Sequence, residues 1–170
     1  MRNEGLGRDR AARTVVVHVA DIKVSRDPGD EIVTYALGSC IAVVLFDPIR
    51  QVGGMIHYML PLSQINPEKA RDNPAMFADT GVPLLFESVY AAGGKKADLI
   101  VKVVGGGAPL GDNSLFQIGQ RNYTVLRKML WKSSVLIAAE DVGGAIPRTV
   151  RLQIATGRVT VQSGQQEKEL

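Results

Sequence analysis

Cys40 is the only cysteine among 170 residues, and it lies in ALGSC (residues 36–40), just past a glycine and a serine. A thiol attacks efficiently only as thiolate, and free cysteine, with a pKa near 8.5, is mostly protonated at neutral pH. A histidine within reach removes that obstacle by taking the proton. The chain has two histidines, His18 and His57. His57 follows Cys40 along two strand-like runs joined by FDPIRQ, where Pro48 after Asp47 suits a tight turn. A hairpin centred between Pro48 and Ile49 sets Cys40 directly opposite His57 on one face, with Cβ atoms about 4.5–5.5 Å apart. A slip of one residue would send the two side chains to opposite faces. An imidazole used as a base needs its other nitrogen held, and Thr34, on the strand entering the Gly38–Ser39 turn, is the candidate for that role. Backbone amides of Gly38, Ser39 and Cys40 are the candidate oxyanion donors. Neither side-chain type is diagnostic alone: free cysteines are among the most buried residues, and a histidine on an apolar strand commonly packs in a core. His18, alternating with valines in TVVVHVA, reads as structural.

The elements that must position these groups follow from local pattern. TVVVHVA (14–20), EIVTYAL (31–37) and CIAVVLF (40–46) are β-branched, short and separated by turn residues, so each reads as a strand. VGGMIHYMLP (52–61) reads as a fourth, bent or bulged at Gly53 and Gly54, with apolar residues on both faces that call for a sheet covered on both sides. From about Met76, apolar residues recur at helical spacing up to Gly93-Gly94, with Pro83 inside; the helix kinks there or starts at that turn with Asp79 or Thr80 as its cap. DLIVKVV runs into the glycine triplet 105–107, and QIGQRNYTVLRKMLWK is a second helix. SVLIAAEDVGG, RTVRLQIAT and RVTVQS close the chain as three more strands, the last two a hairpin at Thr156-Gly157. About eight strands, most of them consecutive, and two helices make an α+β layered sandwich. The domain is expected over 14–163, with a flexible basic tail at 1–13 and a polar tail at 164–170.

Composition bounds the function classes. Hydrophobic residues make up 45% and charged residues 22%, the balance of one globular domain. Net charge is +3, and four arginines against Glu4 and Asp9 in the first 13 residues supply most of it, which is too little for a nucleic-acid groove. No apolar run reaches the roughly 18 residues of a membrane helix, and the N-terminus has no secretory stretch, so a cytoplasmic protein with no membrane insertion is expected. One cysteine cannot close an internal disulfide. A redox sensor would need a resolving cysteine from another chain. Two histidines and one cysteine are too few for a zinc site, and KVVGGGAPLGDNS lacks the spacing of a phosphate-cradling loop.

In order along about residues 14–162, LGSCIAVVLFDP, GGMIHYMLP, ADTGVPLLFESVYAAGG, KVVGGGA, IGQRN, AEDVGG and RTVRLQIATGRV resemble the CheD family, the chemoreceptor glutamine deamidases of bacterial and archaeal chemotaxis. The resemblance implies a catalytic set of Cys40, His57 and Thr34. It also implies an α/β/α sandwich-like fold, distantly similar to toxin deamidases and papain-type thiol enzymes. The implied activity is deamidation of receptor glutamines, with hydrolysis of glutamate methyl esters beside it, no metal or organic cofactor, and docking of a CheC-type phosphatase. Pro109-Leu110 and Pro147 depart from the family pattern outside the catalytic set. A binding module that docks phosphatase or receptor without chemistry is the alternative.

Overall fold

The computed structural model describes residues 12–110 and 117–170, so most of the expected N-terminal tail, and part of the loop after the glycine triplet, lie outside the described residues. The strands are β1 (Arg13–Val16), β2 (Asp21–Ser25), β3 (Asp30–Leu37), β4 (Ile41–Asp47), β5 (Val52–Tyr58), β6 (Ile100–Gly105), β7 (Ala139–Val142), β8 (Arg148–Gln153), β9 (Val159–Ser163) and β10 (Gln166–Glu169). Helices α1 (Pro67–Asp72) and α2 (Ala78–Ala91) separate β5 from β6, and α3 (Ile118–Lys132) separates β6 from β7. SVLIAAEDVGG contributes only its end to a strand, and the expected polar tail contains β10, paired antiparallel to β9. Asp79 and Thr80 do not cap α2, which starts at Ala78 after an uncapped Phe77. Asp79 instead accepts from the amide and hydroxyl of Ser63, both at 2.8 Å.

Two five-stranded sheets result, ordered β1-β3-β8-β9-β10 and β2-β5-β4-β6-β7. One apolar cluster lies between them, with Ile32, Leu37, Val150, Leu152 and Val161 of the first sheet meeting Ala42, Val44, Phe46, Met55 and Val104 of the second. The other face of the second sheet supplies Ile41, Val43, Leu45, Ile56 and Val103 to a cluster closed by Val82, Leu85, Val89, Leu126 and Leu130 of α2 and α3. The second sheet is therefore buried on both faces, as the runs without polar alternation require, and every residue of β4 and β5 is buried. The α+β class holds, but the layers run sheet, sheet, helices rather than α/β/α. Helical spacing tells that α2 and α3 hide one face, but not that both must cover the same side of the same sheet.

The β4–β5 ladder corrects the expected register. Asp47 pairs with Val52 and Ala42 with His57, so the connecting loop has four residues, Pro48–Gln51, rather than two. Asp47 accepts from the amides of Ile49 and Arg50 at 2.9 and 3.0 Å, which winds the chain once more before Gln51, at φ 50°, turns it back. Gly53 and Gly54 form no bulge, since β5 stays in step with both β2 and β4. They allow close packing instead: a Cβ on Gly53 would stand 2.6 Å from Ile154 Cδ1, and one on Gly54 2.9 Å from Val89 Cγ2.

Candidate active site

Thr34 and His57 come from opposite sheets and meet in the layer between them. Each is buried, with Thr34 at 0% and His57 at 1% exposure. Thr34 Oγ1 lies 2.8 Å from the carbonyl oxygen of Val17, just past β1, and 2.8 Å from His57 Nδ1. A carbonyl only accepts, so the single hydroxyl proton goes to Val17, and the contact with His57 must be Nδ1–H donating to Thr34. This fixes the tautomer. Nε2 carries the lone pair, and it is buried with no hydrogen-bond partner among the described residues. Burial lowers the imidazole pKa from 6.5 to about 4, so the ring is a neutral base at neutral pH.

Cys40 sits in the short link between β3 and β4. A register irregularity between Thr34 and Leu37, with Ala36 at φ 55°, ends the regular part of β3. The link is then held from below by the glycine triplet. Gly106 N–H donates to Cys40 O and Gly107 N–H to Gly38 O, both at 2.8 Å. Gly105, at φ 115°, must be glycine, since its Cβ would lie 2.2 Å from Cys40 O. Cys40 is half-buried and packs on the inter-sheet cluster, the side of β5 on which His57 also lies. It is one residue beyond the Ile41–Tyr58 pair, so it is diagonal to His57 and not opposite as expected. The two-residue difference preserves the shared face but sets the residues about 7–8 Å apart between backbone positions. Their side chains do not hydrogen-bond in the free protein, and contacts of this kind often tighten only with substrate.

Burial pushes the Cys40 thiol up, against the smaller downward pull of its own backbone amide. With the imidazole held down and the thiol held up, the resting pair is neutral, not the standing thiolate–imidazolium pair a free-solution argument suggests. Among the described residues, the amides of Ser39 and Cys40 donate to no backbone carbonyl, and the Cys40 amide faces its own sulfur. Beside Ser39 opens a cleft of about 480 Å³, bordered by Gly107, Leu110, Gly119, Tyr123 and Gly144.

The other histidine and the two acidic residues of β7 have contacts elsewhere. His18 is exposed in the turn after β1, and its backbone amide bonds Asp21. Glu140 accepts from Tyr123 Oη at 2.6 Å, and Asp141 is paired with Arg148 and Lys168. Sequence reasoning passed over Asn122 and Tyr58. Asn122 is fully buried and donates to Ser39 O at 3.0 Å and Met59 O at 2.8 Å, while Tyr58 Oη donates to Asn122 O at 2.9 Å. The signal was present, because Asn122 is in phase with Leu126 and Leu130 on the apolar stripe of α3, where a polar side chain calls for a partner.

A family model described as CheD chemotactic sensory transduction matches residues 59–163. A protein of Syntrophus aciditrophicus named probable chemoreceptor glutamine deamidase CheD 1 is 54% identical over 149 residues, covering 88% of this chain and 93% of its own. A probable chemoreceptor glutamine deamidase CheD of Solibacter usitatus is 48% identical over 156 residues, covering 92% of each chain. The chemoreceptor glutamine deamidase CheD of Halalkalibacterium halodurans is 39% identical over 160 residues, covering 92% of this chain and 98% of its own. The family match begins after His57, but alignments covering this much of the chain run through the segment from Thr34 to His57.

Proposed function

The chain belongs to the CheD family, and from that premise we propose that it deamidates glutamine side chains of chemotaxis receptors, with Cys40 as nucleophile, His57 as general base and acid, and Thr34 as the residue that orients His57. The observation that carries this reading is the Nδ1–H tautomer of His57, anchored on Thr34, which leaves a bare Nε2 on the face it shares with Cys40.

The steps balance without a cofactor. Substrate entry brings the carboxamide carbon to Cys40 Sγ, His57 Nε2 takes the thiol proton as the S–C bond forms, and the oxygen charge falls on the amides of Ser39 and Cys40, with Gly38 giving the link its freedom to adjust. The imidazolium returns that proton to nitrogen as the C–N bond breaks and ammonia leaves. Water then attacks the thioester, giving one proton to Nε2, which passes it to sulfur, and the product is glutamate. Because His57 is a weak base, transfer from sulfur runs in concert with attack instead of preceding it. A methyl ester of glutamate presents the same carbonyl with methanol as leaving group, so ester hydrolysis belongs to the same proposal. The distant likeness to toxin deamidases and papain-type thiol enzymes belongs to it too, as does action in the cytoplasm. Among the described residues, no helix is long and apolar enough to cross a membrane.

A second reading, a binding module for a CheC-type phosphatase or a receptor, draws on the absence of a direct Cys40–His57 hydrogen bond in the free protein. Incubating the protein with receptor cytoplasmic fragments and mapping glutamine-to-glutamate conversion by mass spectrometry separates the two. Conversion that disappears in Cys40→Ala supports the enzyme; no conversion by either protein leaves the binding module.

A further inference from the structure

The nucleophile link is tied to α3 by one buried polar side chain. Asn122 has 0% exposure, in a helix whose other buried residues, Gly119, Leu126 and Leu130, carry no polar side chain. Its Nδ2 reaches Ser39 O, the carbonyl immediately before Cys40, and Met59 O, two residues beyond His57. Its Oδ1 is buried without a donor among the described residues. A buried amide oxygen left unpaired is unfavourable, yet the site carries that cost while Nδ2 supplies a donor to two carbonyls that an apolar residue would leave bare. The neighbourhood fixes Asn122 in turn. Tyr58 Oη holds its backbone carbonyl, and Gly119 brings the start of α3 so close to the glycine triplet that a Cβ there would stand 2.3 Å from Gly107 O.

We propose that Asn122 is a positioning residue of the deamidase, clamping the start of β4 to the end of β5 so that the Cys40 sulfur and the amides of Ser39 and Cys40 sit in register with His57. The proposal rests on the catalytic reading above. It makes the helix a gauge of the distance between nucleophile and base, which strand pairing leaves diagonal. Losing the clamp frees the link to move by about an ångström, a displacement that costs catalysis up to about a hundredfold. It also lets water reach a sulfur that is now half-buried.

The test compares Asn122→Ala, the isosteric Asn122→Asp, Tyr58→Phe and, as a control for helix packing, Leu126→Ala. Deamidation of receptor fragments, alkylation of Cys40 by iodoacetamide, and thermal melting are measured for each. Expected are a kcat lower by about ten- to a hundredfold in both Asn122 variants, with KM within about threefold. Cys40 alkylation should become several-fold faster in the same variants, because the thiol loses its burial. Tyr58→Phe should lose kcat by a smaller factor. Leu126→Ala should lose at least as much thermal stability while keeping kcat within about twofold below its melting point. The proposal is overturned if folded Asn122 variants keep kcat within about twofold, or if Leu126→Ala loses kcat by the same factor. Should Asn122→Ala and Asn122→Asp not fold, unchanged kcat in Tyr58→Phe overturns it. If Cys40→Ala deamidates as well as the unmodified protein, the catalytic reading fails instead, and unchanged alkylation in the Asn122 variants still rejects the clamp.

Discussion

At the residue scale, the contact between Thr34 and His57 decides what the imidazole can do. Thr34→Val preserves shape but removes the oxygen, leaving Nδ1–H and the Val17 carbonyl without their buried partner. The expected result is a loss of about 1–3 kcal/mol in chemical denaturation and a fall in kcat of about ten- to a hundredfold, with Thr34→Ser largely restored. Acid supplies a second check. The folded pKa of about 4 lies below the ordinary 6.5, so as pH falls through 6.5 the unfolded chain takes up a proton that the folded chain refuses. The stability linked to His57 is therefore complete above about pH 6.5 and declines down to about pH 4, by about 3 kcal/mol in all. Denaturation across that window should show this slope, and His57→Gln should lack it. In the same terms, the acid limb of kcat/KM should fall near pH 4 and not near 6.5. Cys40 and His57 were legible as candidates by their side-chain chemistry, and Thr34 by its place on the strand that enters the Gly38–Ser39 turn. The neutral resting state was not, since burial sets it and spacing does not show burial.

At the element scale, the β4–β5 hairpin shows where residue patterns stop being informative. Valine and isoleucine content marks both strands, yet the pairing depends on how many residues the turn consumes, and that is decided by the side chain of Asp47. Its carboxylate is fully buried and accepts from the amides of Ile49, Arg50 and Lys95 and from the Arg50 guanidinium. Burial alone would raise its pKa, but these donors outweigh burial and hold it at about 2. The stability it contributes is present above the unfolded carboxyl's pKa and is lost as pH falls from about 4 toward 2. Asp47→Ala strips the loop of these bonds and leaves Arg50 with Asp98 alone. Thermal and urea melts should then show a loss of about 3–5 kcal/mol. A loss below about 1 kcal/mol would mean that the turn is set by Pro48 and Gln51 without the carboxylate. The diagonal placement of Cys40 and His57 is a direct outcome of this turn, because a two-residue loop would have set them face to face.

At the scale of the whole molecule, burial of one sheet on both faces places a polar trio inside apolar layers, and the link that carries Cys40 opens beside a cleft. The α+β class was readable from strands that mostly follow one another, and coverage on both sides from β4 and β5, which lack polar alternation. The layer order was not, because it depends on which face α2 and α3 choose. Nor was β10, whose exposed polar residues QEKE pair along β9 through backbone bonds that leave no hydrophobic trace. The fold thus brings together residues 17, 34, 40, 57 and 122, which come from two strands, a helix and the links between strands. In the proposed mechanism this assembly forms a thioester on Cys40. The most direct measurement is acid quenching of the protein during turnover of a receptor fragment, followed by peptide mapping. The expected result is a glutamyl adduct on the Cys40 peptide that vanishes in Cys40→Ala together with deamidation. Deamidation that continues at the same rate in Cys40→Ala, with no adduct on Cys40 in the unmodified protein, would contradict it.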